Sequence, residues 1–241
     1  MTEQVALIIG AGDAIGSAIA RKFARRGLTV CAARRNGDRL GPLVQELTGA
    51  GHRAHAFSCD ARREEAISEL FARIEADIGE IAVVVFNVGA NVPMGILETD
   101  SRKFFKIWEM ACFAGFLSGR EAARYMTKRE RGTIIFTGAT ASLRGAAGFA
   151  AFASAKHGLR ALAQSMAREL GPRNIHVAHV VIDAAVDTQW INDNLPDAAA
   201  LKLRDGIVAP DDLADNYVML FDQPRNAWTF ELDIRPWIEH W

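Results

Sequence analysis

Three glycines follow a short apolar run near the N-terminus, at a spacing that suits the binding of phosphates. Residues 5–9 are all apolar, as in a strand buried on both faces, and helical periodicity begins near residue 14. Glycine between a strand and a helix lets backbone amides approach a pyrophosphate, and the helix N-terminus adds positive potential. This pattern predicts a dinucleotide-binding loop, and a tight turn without a ligand is the alternative interpretation. The predicted loop residues are Gly10, Gly12, Asp13, Ala14, Ile15 and Gly16.

The end of the second apolar run indicates which dinucleotide binds. A carboxylate there would accept a hydrogen bond from a ribose 2′-hydroxyl and would favour NAD. This sequence instead has Ala33, followed by Arg34 and Arg35. A guanidinium can bind a 2′-phosphate through paired, charge-assisted hydrogen bonds, so we expect NADP as the cofactor, with NAD less favoured. The alternative interpretation of the two arginines is a solvated turn.

The elements that position these residues alternate between strand and helix along the whole chain. Parallel strands need crossover connections, so this order predicts a parallel sheet with helices on both faces. We expect a Rossmann-type, doubly wound α/β fold of about seven strands in one domain, 1–241. The predicted strands are 5–9, 28–33, 53–59, 81–86, 133–137, 176–182 and 228–234, and the predicted helices are 14–26, 39–50, 64–78, 101–128, 152–170 and 211–221.

The longest stretch without a predicted element is 183–209, directly after the sixth strand. Long loops in compact domains are usually functional, and ligands of open parallel sheets bind beyond the carboxyl ends of the strands. We therefore expect this stretch to be the substrate loop.

Composition and charge exclude several classes of partner. The 28 basic and 29 acidic residues leave a net charge of −1, which argues against nucleic acid or an anionic membrane as a partner. No run approaches the roughly 18 apolar residues of a membrane span, and no secretory leader pattern is present. The three cysteines lack ligand spacing, so we expect no metal site. These features together favour a cytoplasmic protein.

The glycine segment is similar to that of the short-chain dehydrogenase/reductase family, whose turn reads Thr-Gly-x-x-x-Gly-x-Gly. Gly10, Ile15 and Gly16 stand where the family expects them, whereas Ile9 and Ala14 replace its threonine and its middle glycine. Asp13 stands where NADP-dependent relatives often carry Lys or Arg. The resemblance covers the whole chain, and it implies further cofactor contacts at Asp60, Asn87, Val88, Gly89, Lys156 and Thr188.

The resemblance also implies four catalytic positions, and three of them carry unusual residues. The family uses a tyrosine that exchanges a proton with the substrate oxygen and a lysine four residues later that holds the nicotinamide ribose. A serine that steadies the oxygen and an asparagine on the long helix complete its set. Here Phe152, Ala139 and Cys112 occupy the tyrosine, serine and asparagine positions, and Lys156 alone matches.

The missing hydroxyls predict atypical chemistry. A positioned general acid contributes about 10²–10⁴-fold, so we expect carbonyl reduction by the family's usual route to be slow. Thr140, next to Ala139, is the candidate donor to a substrate oxygen, and a simple turn residue is its alternative role. An apolar pocket suits a small hydrophobic substrate, and core packing is the alternative interpretation of its lining. The expected lining is Met94, Leu143, Phe149, Phe152 and Trp190.

Three functions remain open on the sequence. The first is an NAD(P)-dependent oxidoreductase that reduces an activated double bond and takes its proton from water. The second is a catalytically silent NADP-binding sensor or partner protein, and the third is a ketoreductase with an unrecognised donor.

A homodimer or homotetramer is expected, because the helices at 101–128 and 152–170 carry more apolar residues than one sheet face needs. The family resemblance implies the same two helices and the C-terminal segment 236–241 as contacts.

Overall fold

Seven parallel strands form one sheet in the computed structural model, which describes residues 3–89 and 91–239. The strands are β1 (Gln4–Ile9), β2 (Thr29–Arg34), β3 (Ala54–Ser58), β4 (Glu80–Phe86), β5 (Gly132–Thr137), β6 (Ile175–Ile182) and β7 (Glu231–Ile234). Their order across the sheet is β3-β2-β1-β4-β5-β6-β7, with every neighbouring pair parallel. This arrangement confirms the expected doubly wound Rossmann-type fold.

Helices cover both faces of the sheet. They are α1 (Ile15–Arg25), α2 (Gly41–Gly49), α3 (Glu64–Asp77), α4 (Ser101–Trp108), α5 (Ala114–Arg129), α6 (Ala150–Leu170), α7 (Gln189–Asn194), α8 (Ala198–Lys202) and α9 (Pro210–Phe221). Within the described residues, no helix is both long and apolar enough to cross a bilayer.

The alternation of side chains along β1 shows why both faces are buried. Ala6 and Ile8 pack with α1 and α9 on one face, in a core that includes Phe23 and the fully buried Tyr217. The intervening residues of β1, such as Leu7, point to the opposite face and pack with α3, α5 and α6. Because successive strand residues face opposite sides, a continuous apolar run needs a helical layer on each side.

Two predicted elements differ from the structure. The helix predicted over 101–128 is interrupted by a π-helical turn at Glu109–Phe113, which separates α4 from α5. Such a turn accommodates one extra residue in the helix and often occurs at functional sites. The stretch 183–209 contains the short helices α7 and α8, so it is not wholly irregular.

The strand order places a topological switch point between β1 and β4. The chain runs outward from β1 to β3, returns to β4 beside β1, and then continues to β7. The loops after β1 and β4 therefore leave the sheet in opposite directions and open a groove between them, where ligands of such sheets bind.

Candidate active site

Three adjoining cavities follow the carboxyl edge of the sheet, and Asn87, just after β4, lines all of them. The central cavity, about 480 Å³, lies between the ends of β4 and β5 and the start of α6. The basic cavity, about 620 Å³, lies beside the ends of β1, β2 and β3 and is lined by Arg34, Arg35, Arg39 and Arg62. The outer cavity, about 870 Å³, separates residues 10–16 from the segment around Thr188 and Trp190.

The glycine loop lies where these cavities meet, and its backbone leaves no room for side chains at two positions. Gly10 has φ +87°, and a Cβ there would lie 2.6 Å from the carbonyl oxygen of Asn87. A Cβ at Gly16 would lie 2.6 Å from Cα of Ala11, within the turn itself. A Cβ at Gly12 would meet nothing within 4 Å and would extend into open space. The loop is thus packed tightly against the protein on one side and open on the other.

The remaining predicted cofactor contacts border the same groove. Ala14 precedes α1 and lines the outer cavity, and Ile15 lines both the outer and the central cavity. Val88 and Gly89 line the central and the basic cavities. Thr188 caps α7, where its hydroxyl accepts a hydrogen bond from the Ile191 amide, and it lines the outer cavity.

Opposite charges meet at the rim of the basic cavity. Nη1 of Arg34 lies 2.8 Å from Oδ1 of Asp13, so the glycine-loop carboxylate and the last residue of β2 form an ion pair. Asp60 pairs with Arg62 through two hydrogen bonds of 2.9 and 2.6 Å, and this guanidinium holds the pKa of Asp60 below its usual range. Arg35, the residue directly after β2, carries a further positive charge that lines this cavity.

Lys156 is the most deeply buried charged group of the central cavity. It is 2% exposed, and its ammonium donates hydrogen bonds to the carbonyl oxygens of Thr137 at 2.8 Å and Val88 at 3.3 Å. Burial lowers the pKa of Lys156 to about 8. An ammonium carries three N–H donors, so one remains for a ligand.

Among the described residues, the acceptors of the Lys156 ammonium are backbone carbonyls and not side-chain hydroxyls. The ring centroid of Phe152, one helical turn earlier on α6, lies 5.9 Å from Nζ. Ala139 follows β5 and lines the same cavity. Cys112 lies in the π-helical turn, buried against Gly158, and burial raises the pKa of its thiol. Tyr217 is fully buried and shares a hydrogen bond with the Thr137 hydroxyl, and it does not line the cavity.

Thr140 lines the central cavity, but its hydroxyl already has an acceptor. It donates to Oδ1 of Asp183 at 2.5 Å, and Asp183 also receives hydrogen bonds from both terminal nitrogens of Arg144, each at 3.0 Å. Asp183 is 1% exposed. Burial opposes its ionised form, but these donors outweigh that effect and hold the pKa of the carboxyl below its usual value.

The sequence analysis did not identify Arg144 and Asp183 as residues of the site. It also did not identify a second pair, the buried His179 with Glu231. Nδ1 of His179 lies 3.0 Å from Glu231, and burial lowers the pKa of this imidazole to about 4. Arg160 binds the same carboxylate at 2.6 and 2.7 Å. A titratable residue within the apolar run of β6, such as His179, or directly after it, such as Asp183, is the signal in the sequence that marks these pairs.

The expected apolar lining is found in part. Phe149 and Phe152 line the central cavity, and Trp190 lines the outer cavity. Leu143 and Met94 line none of the three, and Met94 packs instead against the small core around Ile107. Across residues 3–89 and 91–239, the structure has no group of three or more side chains suited to hold a metal ion.

Comparison with known proteins agrees with this geometry. Residues 4–198 match the family described as short chain dehydrogenase. The chain is 30% identical over 189 residues to 2,3-dihydro-2,3-dihydroxybenzoate dehydrogenase of Bacillus subtilis (strain 168), which covers 78% of this chain and 72% of the relative.

Two solved structures share nearly the whole fold. A short-chain dehydrogenase from Rhodopseudomonas palustris is 52% identical, with a TM-score of 0.84 and coverage of 97% of this chain and 99% of the other. A metagenomic short-chain oxidoreductase in complex with NADP is 27% identical, with a TM-score of 0.84 and coverage of 98% of both chains. The chain therefore belongs to the short-chain dehydrogenase/reductase family of oxidoreductases.

Proposed function

We propose that this protein is an NADP(H)-dependent oxidoreductase that acts on a small, largely apolar substrate without the family's tyrosine and serine. The observation that carries the proposal is a continuous groove in which a glycine loop, four arginines and the buried Lys156 border connected cavities. The glycine loop suits a pyrophosphate, the arginines suit an adenosine phosphate and Lys156 suits a nicotinamide ribose. Along the sheet edge, the loop after β1 lies between the other two features.

The residues of the glycine loop fit a dinucleotide. Gly12 has no contact that would exclude a side chain, so the protein's own packing does not explain a glycine there. A side chain at Gly12 would occupy the open space beside the N-terminus of α1, where backbone amides and the helix dipole favour a pyrophosphate. Gly10 and Gly16 hold the turn close to β4 and α1.

The charges of the basic cavity support NADP over NAD. Arg34 and Arg35 stand where a ribose 2′-phosphate would enter, and the carboxylate typical of NAD sites is replaced by the buried Ala33. Asp13 already neutralises part of the Arg34 charge, so the preference for a phosphate is weaker than two free arginines would give. The family resemblance assigns Asp60 to the adenine, in a position stabilised by Arg62.

In the central cavity, we assign positioning and proton handling to the few polar groups present. The nicotinamide supplies or accepts a hydride when bound. Lys156 holds the ribose hydroxyls through the donor that Thr137 and Val88 leave free. Thr140 is the candidate contact for a substrate oxygen, although its hydroxyl already donates a hydrogen bond to Asp183. Reduction of an activated double bond, with the proton taken from water, needs no proton donor from the protein. This reaction therefore suits the site better than reduction of a carbonyl group.

The silent binding protein is the second candidate, and the named relatives do not favour it because they are oxidoreductases. Oxidation of NADPH in the presence of a broad set of carbonyl and activated-alkene acceptors separates the two candidates. Turnover of any acceptor supports the enzyme. Tight NADPH binding without turnover across the whole set supports the silent protein.

Arg34→Ala is expected to lower the ratio of NADPH to NADH affinity about fivefold, because one charge-assisted contact to the 2′-phosphate is lost. Asp13→Asn is the matched change on the other side of the ion pair, and it should raise the same ratio, since Arg34 is then free to bind phosphate. Calorimetric titration of both nucleotides measures the two ratios. If the ratio of NADPH to NADH affinity is unchanged in both variants, Arg34 does not contact the 2′-phosphate and the assignment is wrong.

We also propose a homodimer or homotetramer through a row of aromatic residues that runs from α4 through the π-helical turn into α5. The rings of Phe105, Trp108, Phe113 and Phe116 stack in sequence at centroid distances of 6.2, 6.2 and 6.0 Å, and Phe105 is 60% exposed. Phe116 is 37% exposed, and the half-buried Trp108 and Phe113 lie between the two exposed rings. An exposed apolar patch supports an interface at this place. The expected C-terminal contact is described as far as residue 239, and residues 240 and 241 lie outside the described residues.

Phe105→Glu combined with Phe116→Glu is expected to reduce the mass of the particle in solution, because two charges would be buried at the interface. Light scattering at micromolar concentration measures it. Leu203→Glu, at a residue that is 89% exposed and distant in sequence from α4 and α5, is the control and should leave the mass unchanged. A wild-type protein with the mass of one chain would refute the oligomer.

A further inference from the structure

The charges that face the central cavity are all positive. Arg144 and Lys156 line it, and the described residues of its wall include no Asp or Glu. The rest of the wall is mostly apolar, with Phe149, Phe152 and Ile182 as its largest side chains. A cavity of this composition is complementary to an apolar molecule that carries a negative charge.

The guanidinium of Arg144 is bound by the buried carboxylate of Asp183, which does not line the cavity. Its terminal nitrogens each bind Asp183 at 3.0 Å, and Asp183 is also bound by Thr140 at 2.5 Å. Because Asp183 is 1% exposed, it fixes the guanidinium without facing the cavity. The two contacts to Asp183 orient the guanidinium, and the arginine side chain is 44% exposed, so the protein does not cover it fully.

Part of the guanidinium remains open to a ligand. A guanidinium has five N–H donors, and the contacts to Asp183 account for one at each terminal nitrogen. Among the described residues, Nε of Arg144 has no hydrogen-bond acceptor. Nε and the adjacent terminal nitrogen form the edge that binds a carboxylate in the paired geometry. Asp183 therefore occupies one edge and leaves a second one available.

We propose that Arg144 forms an anion subsite in the central cavity and that the substrate carries a carboxylate on an apolar body. This inference rests on the proposed function, since the apolar body would lie over the bound nicotinamide. The subsite also gives a role to the unusual charged residue after β6, because Asp183 keeps the arginine directed at the cavity. Recognition of the substrate by this charge would not require the missing tyrosine.

The test compares 2-naphthoate with the uncharged 2-naphthamide on protein saturated with NADP⁺, by calorimetry. The naphthoate is expected to bind the wild type at least about fivefold more tightly than the naphthamide, because its carboxylate makes a charge-assisted contact at a partly exposed site. In Arg144→Gln/Asp183→Asn, which removes both charges together, the preference should fall close to one. Arg144→Lys retains the charge without the paired geometry and should keep about half of the preference.

The control is Arg26→Gln/Asp222→Asn, which removes an exposed ion pair that does not line the cavity, and it should keep the full preference. In that pair, Nε of Arg26 lies 2.9 and 3.0 Å from the two carboxylate oxygens of Asp222. Equal binding of the two probes to the wild type, or no binding of naphthoate at millimolar concentration, would overturn the proposal. A preference retained in the Arg144/Asp183 double variant would mean that a charge other than Arg144 carries it, such as Lys156 or Arg235, which lies 3.7 Å from Asp183, and would also overturn the proposal. NADP⁺ is titrated first on each protein, so a failure of the proposed function is seen before either probe is added.

Discussion

Phe152→Tyr combined with Ala139→Ser is expected to accelerate the reduction of reactive diketones or quinones by NADPH at least about tenfold. The two changes add one oxygen each at positions where the family has its proton donor and its oxyanion contact. A general acid contributes about 10²–10⁴-fold, so tenfold is a modest part of its range. Both side chains border the central cavity, and the Phe152 ring centroid lies 5.9 Å from the Lys156 ammonium. A nearby cation lowers the pKa of a phenol and makes it a better proton donor and acceptor near neutral pH.

Steady-state oxidation of NADPH measures this gain, and a titration of NADPH binding on both proteins shows that the cofactor site is unchanged. Phe149→Tyr is a matched control, because it adds a phenol to the same cavity at the helix N-cap rather than one turn before Lys156. It should give less gain than the double variant. No gain with binding intact would mean that the cavity cannot present a carbonyl to the nicotinamide, and the silent binding protein would become the leading function.

The fold was predictable from the sequence because its signals are local and repeated. The apolar run of β1, the glycine turn and the amphipathic α1 together define a strand-turn-helix unit, and the same alternation continues to β7. The interruption between α4 and α5 was not predictable in the same way. Residues 109–113 contain neither proline nor glycine, so nothing local marks the π-helical turn. The π-helical turn packs against α6. The periodicity of the sequence does not describe such contacts between distant elements.

The residues that border the groove on its glycine-loop side come from contiguous motifs, whereas the charged pairs of the central cavity do not. The glycine loop and Arg34 belong to contiguous motifs, but the ion pair between Arg34 and Asp13 joins residues 21 positions apart. The pair formed by Arg144 and Asp183 spans 39 positions and belongs to no motif. Such contacts arise only when the turn after β5 meets the end of β6. A single sequence reveals the charges but not their partners.

Lys156→Met is expected to weaken NADP⁺ binding at least about tenfold, because a charge-assisted hydrogen bond to the nicotinamide ribose contributes about 1.5–3 kcal/mol. Methionine retains most of the length of the side chain and removes the ammonium. Lys103→Met, at an exposed lysine of α4, is the control and should bind NADP⁺ as the wild type does. Calorimetric titration at pH 7 gives the affinities. Unchanged affinity in Lys156→Met would make Lys156 a structural residue.

The same variant should show by how much the buried ammonium of Lys156 lowers the free energy of unfolding of the cofactor-free protein. The pKa of Lys156 is about 8 in the folded chain and 10.5 in the unfolded one, so between these values the unfolded chain binds more protons. The free energy of unfolding therefore rises with pH across this window, and the cost of burial is fully present below pH 8. Relative to Lys156→Met, the wild type should gain about 1–2 kcal/mol between pH 7 and pH 9.5, since each unit of pKa shift corresponds to about 1.4 kcal/mol. Urea unfolding of both proteins at the two pH values measures the difference. If the difference in the free energy of unfolding between the two proteins stays constant with pH, the ammonium of Lys156 is not desolvated. That result would contradict its buried position beside the carbonyl oxygens of Thr137 and Val88.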